Sequence, residues 1–240
     1  MKRLIGAIRF LTILPLRWEG APPGQSALFF PLVGAVLGWV GAHWYGFLSA
    51  WLGASLAALL IVAAWIWITG GLHEDGLADV ADAFGQRSRD RMMAVLKDSR
   101  IGSFGAAALI LAILIRWQAL VRMPALPVAE LVAAMTMSRA ALVAMAWVSR
   151  PVGQGLGAQF AASLTTIPAL LVIAQGTGAA FLMDYRGAIM LLAVSAAVFF
   201  ALNRWFDARL GGINGDCLGA TCLITETVLL VMLSCRNCFW

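Results

Sequence analysis

The sequence predicts an all-α, polytopic integral membrane bundle, because its composition and its pattern exclude a water-soluble domain of this length. Hydrophobic residues make up 62% of the 240 residues and charged residues only 12%, with a mean hydropathy of +0.87. Soluble domains are about half apolar and about a quarter charged. Apolar runs near the length that crosses a bilayer as a helix recur along the chain. We expect a single membrane domain over residues 1–240.

The elements follow in order from the N-terminus. Residues 2–14 carry three basic side chains among apolar ones and end at Pro15, which predicts a short interfacial helix. Arg9 interrupts this stretch and no small-residue cleavage site follows, so we keep the whole chain as mature protein. About seven transmembrane helices are predicted, at residues 28–49, 51–70, 103–122, 128–149, 166–183, 187–203 and 217–234. Gly34 and Gly38 have the spacing of a close helix contact.

The distribution of Lys and Arg predicts the orientation. With the N-terminus inside, twelve of them lie on that side and three, Arg122, Arg186 and Arg236, lie on the other. Cytoplasmic loops carry such an excess, so we expect the N-terminus and both long charged connections, residues 71–102 and 204–216, on the cytoplasmic side of the membrane. The basic residues are spread along the loops, which is not the pattern of a nucleic-acid surface.

The four cysteines lie near the C-terminus and predict neither a zinc site nor a disulfide framework. Cys235 and Cys238 form a Cys-x-x-Cys in the predicted exported tail, where we expect no cofactor.

The block GGLHEDGLADVADAFG at residues 70–85 is the most informative segment. On a helix over residues 72–83, Asp75, Asp79 and Asp82 stand at i, i+4 and i+7 and therefore share one face. Three neighbouring negative charges repel one another unless a cation neutralises them. Mg²⁺ uses one or two carboxylates together with phosphates and water, so we predict a magnesium site. The alternative is a solvated helix face in a cytoplasmic loop.

Two further features supply polar groups beside these carboxylates. Residues 97–100, Lys-Asp-Ser-Arg, mix charges in a way that suits a pyrophosphate, although the positive-inside rule also requires cations in this loop. His73 is a candidate general base or metal ligand, against the alternative of a residue that only forms a hydrogen bond near a helix start.

The block GGINGDCLGA at residues 211–220 lies on the same predicted side. Its glycines would let backbone N–H groups approach a phosphate or a base. Asp216 stands at the start of the last span, where a carboxylate is also a good helix cap. Glu226 lies about halfway down that span, where an unpaired carboxylate is costly and usually functional.

These motifs together resemble the cobalamin synthase family, the adenosylcobinamide-GDP ribazoletransferases. The resemblance covers nearly the whole chain. It is carried by Phe10-Leu11-Thr12 with Pro15, by Phe30-Pro31-Leu32-Val33-Gly34, by the blocks at 70–85 and 211–220, by KDSRIGSFG at 97–105, and by Gly155-Leu156-Gly157.

The resemblance implies a Mg²⁺-dependent phosphotransferase that joins adenosylcobinamide-GDP to α-ribazole or α-ribazole 5′-phosphate, with release of GMP. The product would be adenosylcobalamin or its 5′-phosphate. Asp75, Asp79 and Asp82 would hold the metal, and Asp98, as a further ligand or as the base, and His73 would be catalytic. Substrate contacts are expected from Lys97, Ser99, Arg100, Asn214, Asp216 and Glu226. Membrane lipid, a second copy of the chain and other enzymes of vitamin B12 synthesis are further expected partners.

A transporter or cation carrier that uses the acidic cluster as an ion site is the alternative function. Transporter sites lie near the bilayer midplane, whereas these acids gather at one end of the spans beside cations, which favours a transferase. An inactive scaffold would leave the carboxylate face without a purpose.

Overall fold

The computed structural model describes residues 1–153 and 155–235, and this part of the chain is helical without any β-strand. Its helices are α1 (Lys2–Leu11), α2 (Pro23–Ser26), α3 (Phe30–Leu52), α4 (Ala54–Ile68), α5 (Leu72–Phe84), α6 (Arg89–Val95), α7 (Ser103–Val121), α8 (Val128–Val148), α9 (Leu156–Ser163), α10 (Thr166–Ala180), α11 (Tyr185–Leu210) and α12 (Gly215–Leu233), with a 3-10 turn at Ala27–Phe29. The predicted all-α class is confirmed. Arg236 and Cys238, which entered the predictions above, lie outside the described residues.

Five helical segments of the described chain are long and apolar enough to cross a membrane: Pro23–Leu52, which joins α2 to α3, and α7, α8, α11 and α12. The pairs α4 with α5 and α9 with α10 pass the same test only together, and they are bent by 88° and 100°. The protein is therefore a multi-pass membrane protein. Two of the seven predicted spans correspond to α4 and α10, which have 15 residues each and reach only roughly 22 Å.

Two glycines explain why the chain turns after α4. Gly70 and Gly71 have φ values of +64° and +68°, in the left-handed region that favours glycine. The turn sends α5 across the end of the bundle instead of onward through it, and the predicted helix over residues 72–83 is confirmed as α5. We call this end, formed by α5, α6 and the segments 150–153, 155–157 and 211–215, the motif end.

Two other boundaries differ slightly from the prediction. The N-terminal helix ends at Leu11, because Thr12 is extended and its hydroxyl donates to the Ile8 carbonyl at 2.7 Å. The second connection is shorter than residues 204–216, because α11 continues to Leu210 with Phe206 and Leu210 still buried. Gly211, at φ +73°, ends the helix, and only residues 211–214 connect α11 to α12.

Helix α8 lies at the centre of the bundle. It packs on α3, α10 and α12, and 78% of its span is buried, against 17% for the span of α11. The close contact predicted for Gly34 and Gly38 is confirmed, because a Cβ at either position would collide with the carbonyls of Met135 and Leu131. On the motif end, α5 packs on α12 and α7, and this packing positions the site.

Candidate functional site

A glycine contact brings the acidic face of α5 against the start of α12. A Cβ at Gly76 would lie 2.7 Å from the Asp216 carbonyl oxygen, and one at Gly219 would lie 3.2 Å from the Leu72 carbonyl oxygen. Because neither position has a side chain, the two backbones touch. This places Asp75 and Asp79 beside Asp216, although about 140 residues separate them in sequence.

Two cavities meet at Asp75. The first, the glycine cavity, has a volume of about 330 Å³ and is bordered by glycines of residues 153–157 and 215–219. The second, the α1 cavity, has a volume of about 650 Å³ and is bordered by Arg9, Phe10 and the 69–72 turn. Asp75 lines both of them, and so do Phe10 and Leu72. The sequence predicts α1 only as an interfacial helix, and its contribution to a cavity was not predicted.

The segments 150–153 and 155–157 contact the segment 211–215 at the motif end. The Val152 N–H donates to the Ile213 carbonyl, and the Ile213 N–H donates to the Arg150 carbonyl, both at 2.8 Å. A Cβ at Gly157 would collide with the backbone of Gly215. This contact brings the Gly155-Leu156-Gly157 motif to the glycine cavity.

Asp79 shows that the carboxylates are close enough to repel one another. Burial, together with the charges of Asp216, Asp75 and Asp82, raises the pKa of its carboxyl to about 6. A cation among these oxygens would relieve the repulsion.

The donor set fits magnesium that completes its shell with phosphate. No group of three or more His, Cys, Asp or Glu among the described residues is arranged to hold a metal ion by itself. Asp75 and Asp79 both line the α1 cavity, and Asp75 and Asp216 both line the glycine cavity. One or two carboxylates with phosphate oxygens and water are the usual magnesium shell, so the residues fit such an ion.

Asp82 has a visible structural role. Its carboxylate accepts hydrogen bonds from the backbone N–H groups of Gly102 at 2.7 Å and Gly105 at 2.8 Å, at the start of α7. A carboxylate is favourable there because helix N-termini expose unpaired donors. Asp82 therefore anchors α5 to α7. It lines neither cavity of the described structure, and its role as a metal ligand stays a prediction.

Residues 97–100 divide between the cavities and the surface. Lys97 lines the glycine cavity and Ser99 lines the α1 cavity. Asp98 instead accepts hydrogen bonds from the Arg100 guanidinium at 2.7 and 3.0 Å, and these bonds hold the pKa of its carboxyl below the usual range. The Arg100 side chain is 86% exposed. The structure thus does not bring Asp98 or Arg100 to either cavity.

Asn214, and not Asp216, caps α12. The Asn214 Oδ1 accepts the Cys217 N–H at 3.0 Å, and its Nδ2 donates to the Asp216 carboxylate at 2.6 Å. Asp216 is half-buried and lines the glycine cavity together with Asn214. Its carboxylate is therefore directed by Asn214 instead of being used as a cap.

His73 is buried at the wall of the glycine cavity. Neither ring nitrogen has a hydrogen-bond partner among the described residues. Buried polar groups in proteins almost always have partners, and leaving one unpaired is costly. The imidazole therefore has unused hydrogen-bonding capacity beside the cavity, although both of its nitrogens are buried.

A buried ion network, which the sequence did not predict, lies beneath α5. Glu226 is 2% exposed; its Oε2 is bonded to Arg139 Nη1, and its Oε1 lies 3.4 Å from Arg116 Nη1. Arg116 Nη2 also donates to Glu74 Oε1 at 2.9 Å. Both oxygens of Glu226 thus face arginines of the protein interior. The two arginines within predicted spans were the available signal, since ionisable residues inside membranes pair with one another.

Known proteins are similar to this protein over most of its chain. The family model described as cobalamin-5-phosphate synthase matches residues 3–234. An adenosylcobinamide-GDP ribazoletransferase of Ralstonia nicotianae is 37% identical over 87% of this chain and 84% of its own length. Enzymes of that same name from Herpetosiphon aurantiacus and Shewanella piezotolerans are 36% and 30% identical, each over 98% of this chain and over 96% and 95% of their own lengths. No solved structure matches.

Proposed function

The chain belongs to the cobalamin-5-phosphate synthase family, and from this premise we propose that it joins adenosylcobinamide-GDP to α-ribazole or its 5′-phosphate. The family assignment and the transferase of cobalamin biosynthesis expected from the motifs are confirmed. The magnesium requirement, the substrates and the residue roles are our proposals.

The position of Asp75 between two cavities is the observation that carries the proposal. A transfer between two large substrates needs two binding spaces that meet at the reacting phosphorus. The enclosed glycine cavity, with Lys97, Asn214 and the backbone of several glycines, suits the ribazole. The larger α1 cavity suits the diphosphate end of the corrinoid substrate. The diphosphate would then lie against Asp75 and Asp79.

The reaction is one substitution at phosphorus. A ribose hydroxyl oxygen of the ribazole attacks the phosphorus on the corrinoid side, a new P–O bond forms, and the P–O bond to GMP breaks. GMP leaves with the bridging oxygen as its phosphate, and the hydroxyl proton passes to a base. When bound, magnesium supplies positive charge that stabilises the diphosphate oxygens and the leaving phosphate.

The residues around the cavities have distinct roles in this scheme. Asp75 and Asp79 would hold the metal, and Asp82 would fix α5 to α7. Lys97 offers a cation to the phosphates. Between the two predicted catalytic groups, His73 lines the cavity with unpartnered nitrogens, whereas Asp98 is engaged by Arg100. We therefore assign the proton transfer to His73.

We place the protein in the bacterial inner membrane with the motif end in the cytoplasm. The predicted cytoplasmic side, which includes this end, carries twelve Lys and Arg residues against three on the other side, and this excess supports the orientation. Substrates of this size and charge would then reach both cavities from water.

The experiment is GMP release by the purified chain in lipid vesicles, given adenosylcobinamide-GDP and α-ribazole with Mg²⁺ or with EDTA. We expect Mg²⁺-dependent product, and a loss of at least about 100-fold in kcat for Asp75→Asn. Asp90→Asn is the matched control, since Asp90 is an exposed acid of α6 that lines neither cavity of the described structure. Metal-independent turnover would refute the magnesium role. Cation uptake into vesicles without any GMP release would favour the transporter instead.

A further inference from the structure

Four helices each contribute one charged side chain to the network beneath α5. Glu74 comes from α5, Arg116 from α7, Glu226 from α12 and Arg139 from α8. The charges alternate along the chain of contacts, so the network is neutral as a whole. All four side chains are at least nine-tenths buried.

The network and the proposed site contain consecutive residues of α5. Glu74 directly precedes Asp75, and successive side chains on a helix differ by about 100° in direction. Glu74 points inward to Arg116, while Asp75 is exposed at the junction of the two cavities. A rotation of α5 about its axis would therefore break the Glu74 contact and move Asp75 from the junction.

The other contacts of α5 include the apolar packing of the buried Ala78, Val80 and Ala83, which is non-directional. The Gly76 contact with α12 involves no side chain on the α5 side, and Asp82 is held about two turns away, at the far end of the helix. Near Asp75, the hydrogen bond of Glu74 to Arg116 is the directional side-chain contact of α5 among the described residues. Directional ionic bonds in a low-dielectric interior hold their geometry strongly.

We propose that Glu74, Arg116, Glu226 and Arg139 form a positioning network that fixes the rotation of α5 and holds the Asp75 carboxylate at the junction of the two cavities. Glu74 is the decisive residue, because it is the member of the network that lies on α5, and its bond to Arg116 ties the rotation of α5 to the bundle interior. The consequence for turnover rests on the proposed function, whereas the orientation of α5 does not.

The first measurement follows the orientation without using activity. Asp75→Cys is introduced, and its reaction rate with a water-soluble maleimide is measured in lipid vesicles, with the rate of the chain lacking this change subtracted. Adding Glu74→Gln should change the labelling rate at least threefold, because α5 is released. Adding Glu19→Gln, the same change at an exposed position, should leave the rate within 1.5-fold. Equal rates with and without Glu74→Gln would overturn the proposal.

The second measurement separates positioning from simple stabilisation. Glu74→Gln should lower kcat at least tenfold while KM for adenosylcobinamide-GDP stays within threefold. The double variant Glu74→Met with Arg116→Met removes a neutral pair and leaves Glu226 with Arg139, so thermal stability should return to the wild-type value. We expect kcat to stay at least tenfold low in this double variant. A return of kcat together with stability would overturn the proposal.

The two measurements distinguish failure of the inference from failure of the proposed function. If the wild-type chain forms no product but Glu74→Gln changes the labelling rate, the positioning network holds and the proposed function fails. If the wild-type chain forms product but neither the labelling rate nor kcat responds to Glu74→Gln, the proposed function holds and the network fails.

Discussion

Two groups of carboxylates in this protein have opposite electrostatic surroundings. Inside the bundle, Glu74 and Glu226 are paired with arginines of the same chain. At the motif end, Asp75 and Asp79 face cavities, and the pKa of Asp79 is raised to about 6 by burial and by its acidic neighbours. The first group needs nothing from outside. The second group has unbalanced negative charge, which is the condition for binding a cation and an anionic substrate.

This difference predicts opposite responses to removing a charge. Removing one partner from the inner group leaves an uncompensated buried charge and should lower the free energy of unfolding. Removing one carboxylate from the motif end relieves repulsion and should affect only activity. The predictions below test this contrast, beginning with the largest effect.

Arg139→Met should cause the largest loss of stability. Glu226 would then share Arg116 with Glu74, so the interior would hold one excess negative charge. We expect the free energy of unfolding to fall by about 3–5 kcal/mol, seen as a lower midpoint in thermal unfolding and a lower yield in detergent. Arg139→Met combined with Glu226→Met should regain most of the stability. A single variant as stable as the wild type would show that the inner group is not a balanced network.

Asp79→Asn should abolish most activity without destabilising the fold. The expected loss in kcat is at least about 100-fold, because a metal ligand is removed. The wild-type chain should gain thermal stability on addition of Mg²⁺, and the variant should lose that gain. In EDTA, the variant should be as stable as the wild type or more stable, since repulsion with Asp216 and Asp75 is relieved. Destabilisation comparable to that of Arg139→Met would erase the contrast between the two groups.

Gly76→Ala should have an intermediate effect on both properties. Its new Cβ would lie 2.7 Å from the Asp216 carbonyl oxygen, so α5 must move away from α12. We expect a destabilisation of about 1–3 kcal/mol and roughly a tenfold lower kcat, since each factor of ten needs only about 1.4 kcal/mol. Gly178→Ala is the control, because a Cβ there meets nothing within 4 Å. Activity unchanged in Gly76→Ala would show that the helix contact does not position the carboxylates.

Asn214→Ala should have the smallest effect. The loss of the cap on α12 should lower the free energy of unfolding by about 1 kcal/mol, measured by thermal unfolding. The Asp216 carboxylate would lose the 2.6 Å bond from Asn214 and become less ordered, so KM for α-ribazole should rise a few fold. Asn214→Asp keeps the capping oxygen but places a second negative charge beside Asp216, so it should regain only part of the stability and should raise KM further.

The helix that carries the acidic residues was predictable because its pattern is local. The i, i+4 and i+7 spacing of Asp75, Asp79 and Asp82 defines a face by backbone geometry alone, and α5 was placed within two residues of its observed bounds. The different use of Asp82 was not predictable, because it depends on the start of α7 lying beside the far end of α5. The same is true of Asp98, whose partner Arg100 competes with any ligand.

Two of the apolar runs form helices that are shorter than the runs themselves. Residues 51–70 and 166–183 are apolar enough to span a bilayer, yet α4 and α10 stop short at 15 residues each. Hydropathy contains no information on backbone conformation. It therefore does not predict the left-handed conformation of Gly70 and Gly71, where the chain turns through 88°. This turn lays α5 across the motif end, where its carboxylates reach the cavities.

The sequence by itself determined that the protein lies in a membrane, because a chain this apolar must cross one. It also determined which side chains are present, because its motifs supply the carboxylates, glycines and cations of a phosphate-transfer family. Only the tertiary structure decided how each charge is neutralised. Arg116, Arg139, Glu74 and Glu226 stand on four different helices, and their pairing depends on how those helices pack. Hydropathy and helix periodicity can be read from a few consecutive turns of sequence. The free-energy cost of a buried charge depends instead on which partners from distant parts of the chain lie within hydrogen-bonding distance.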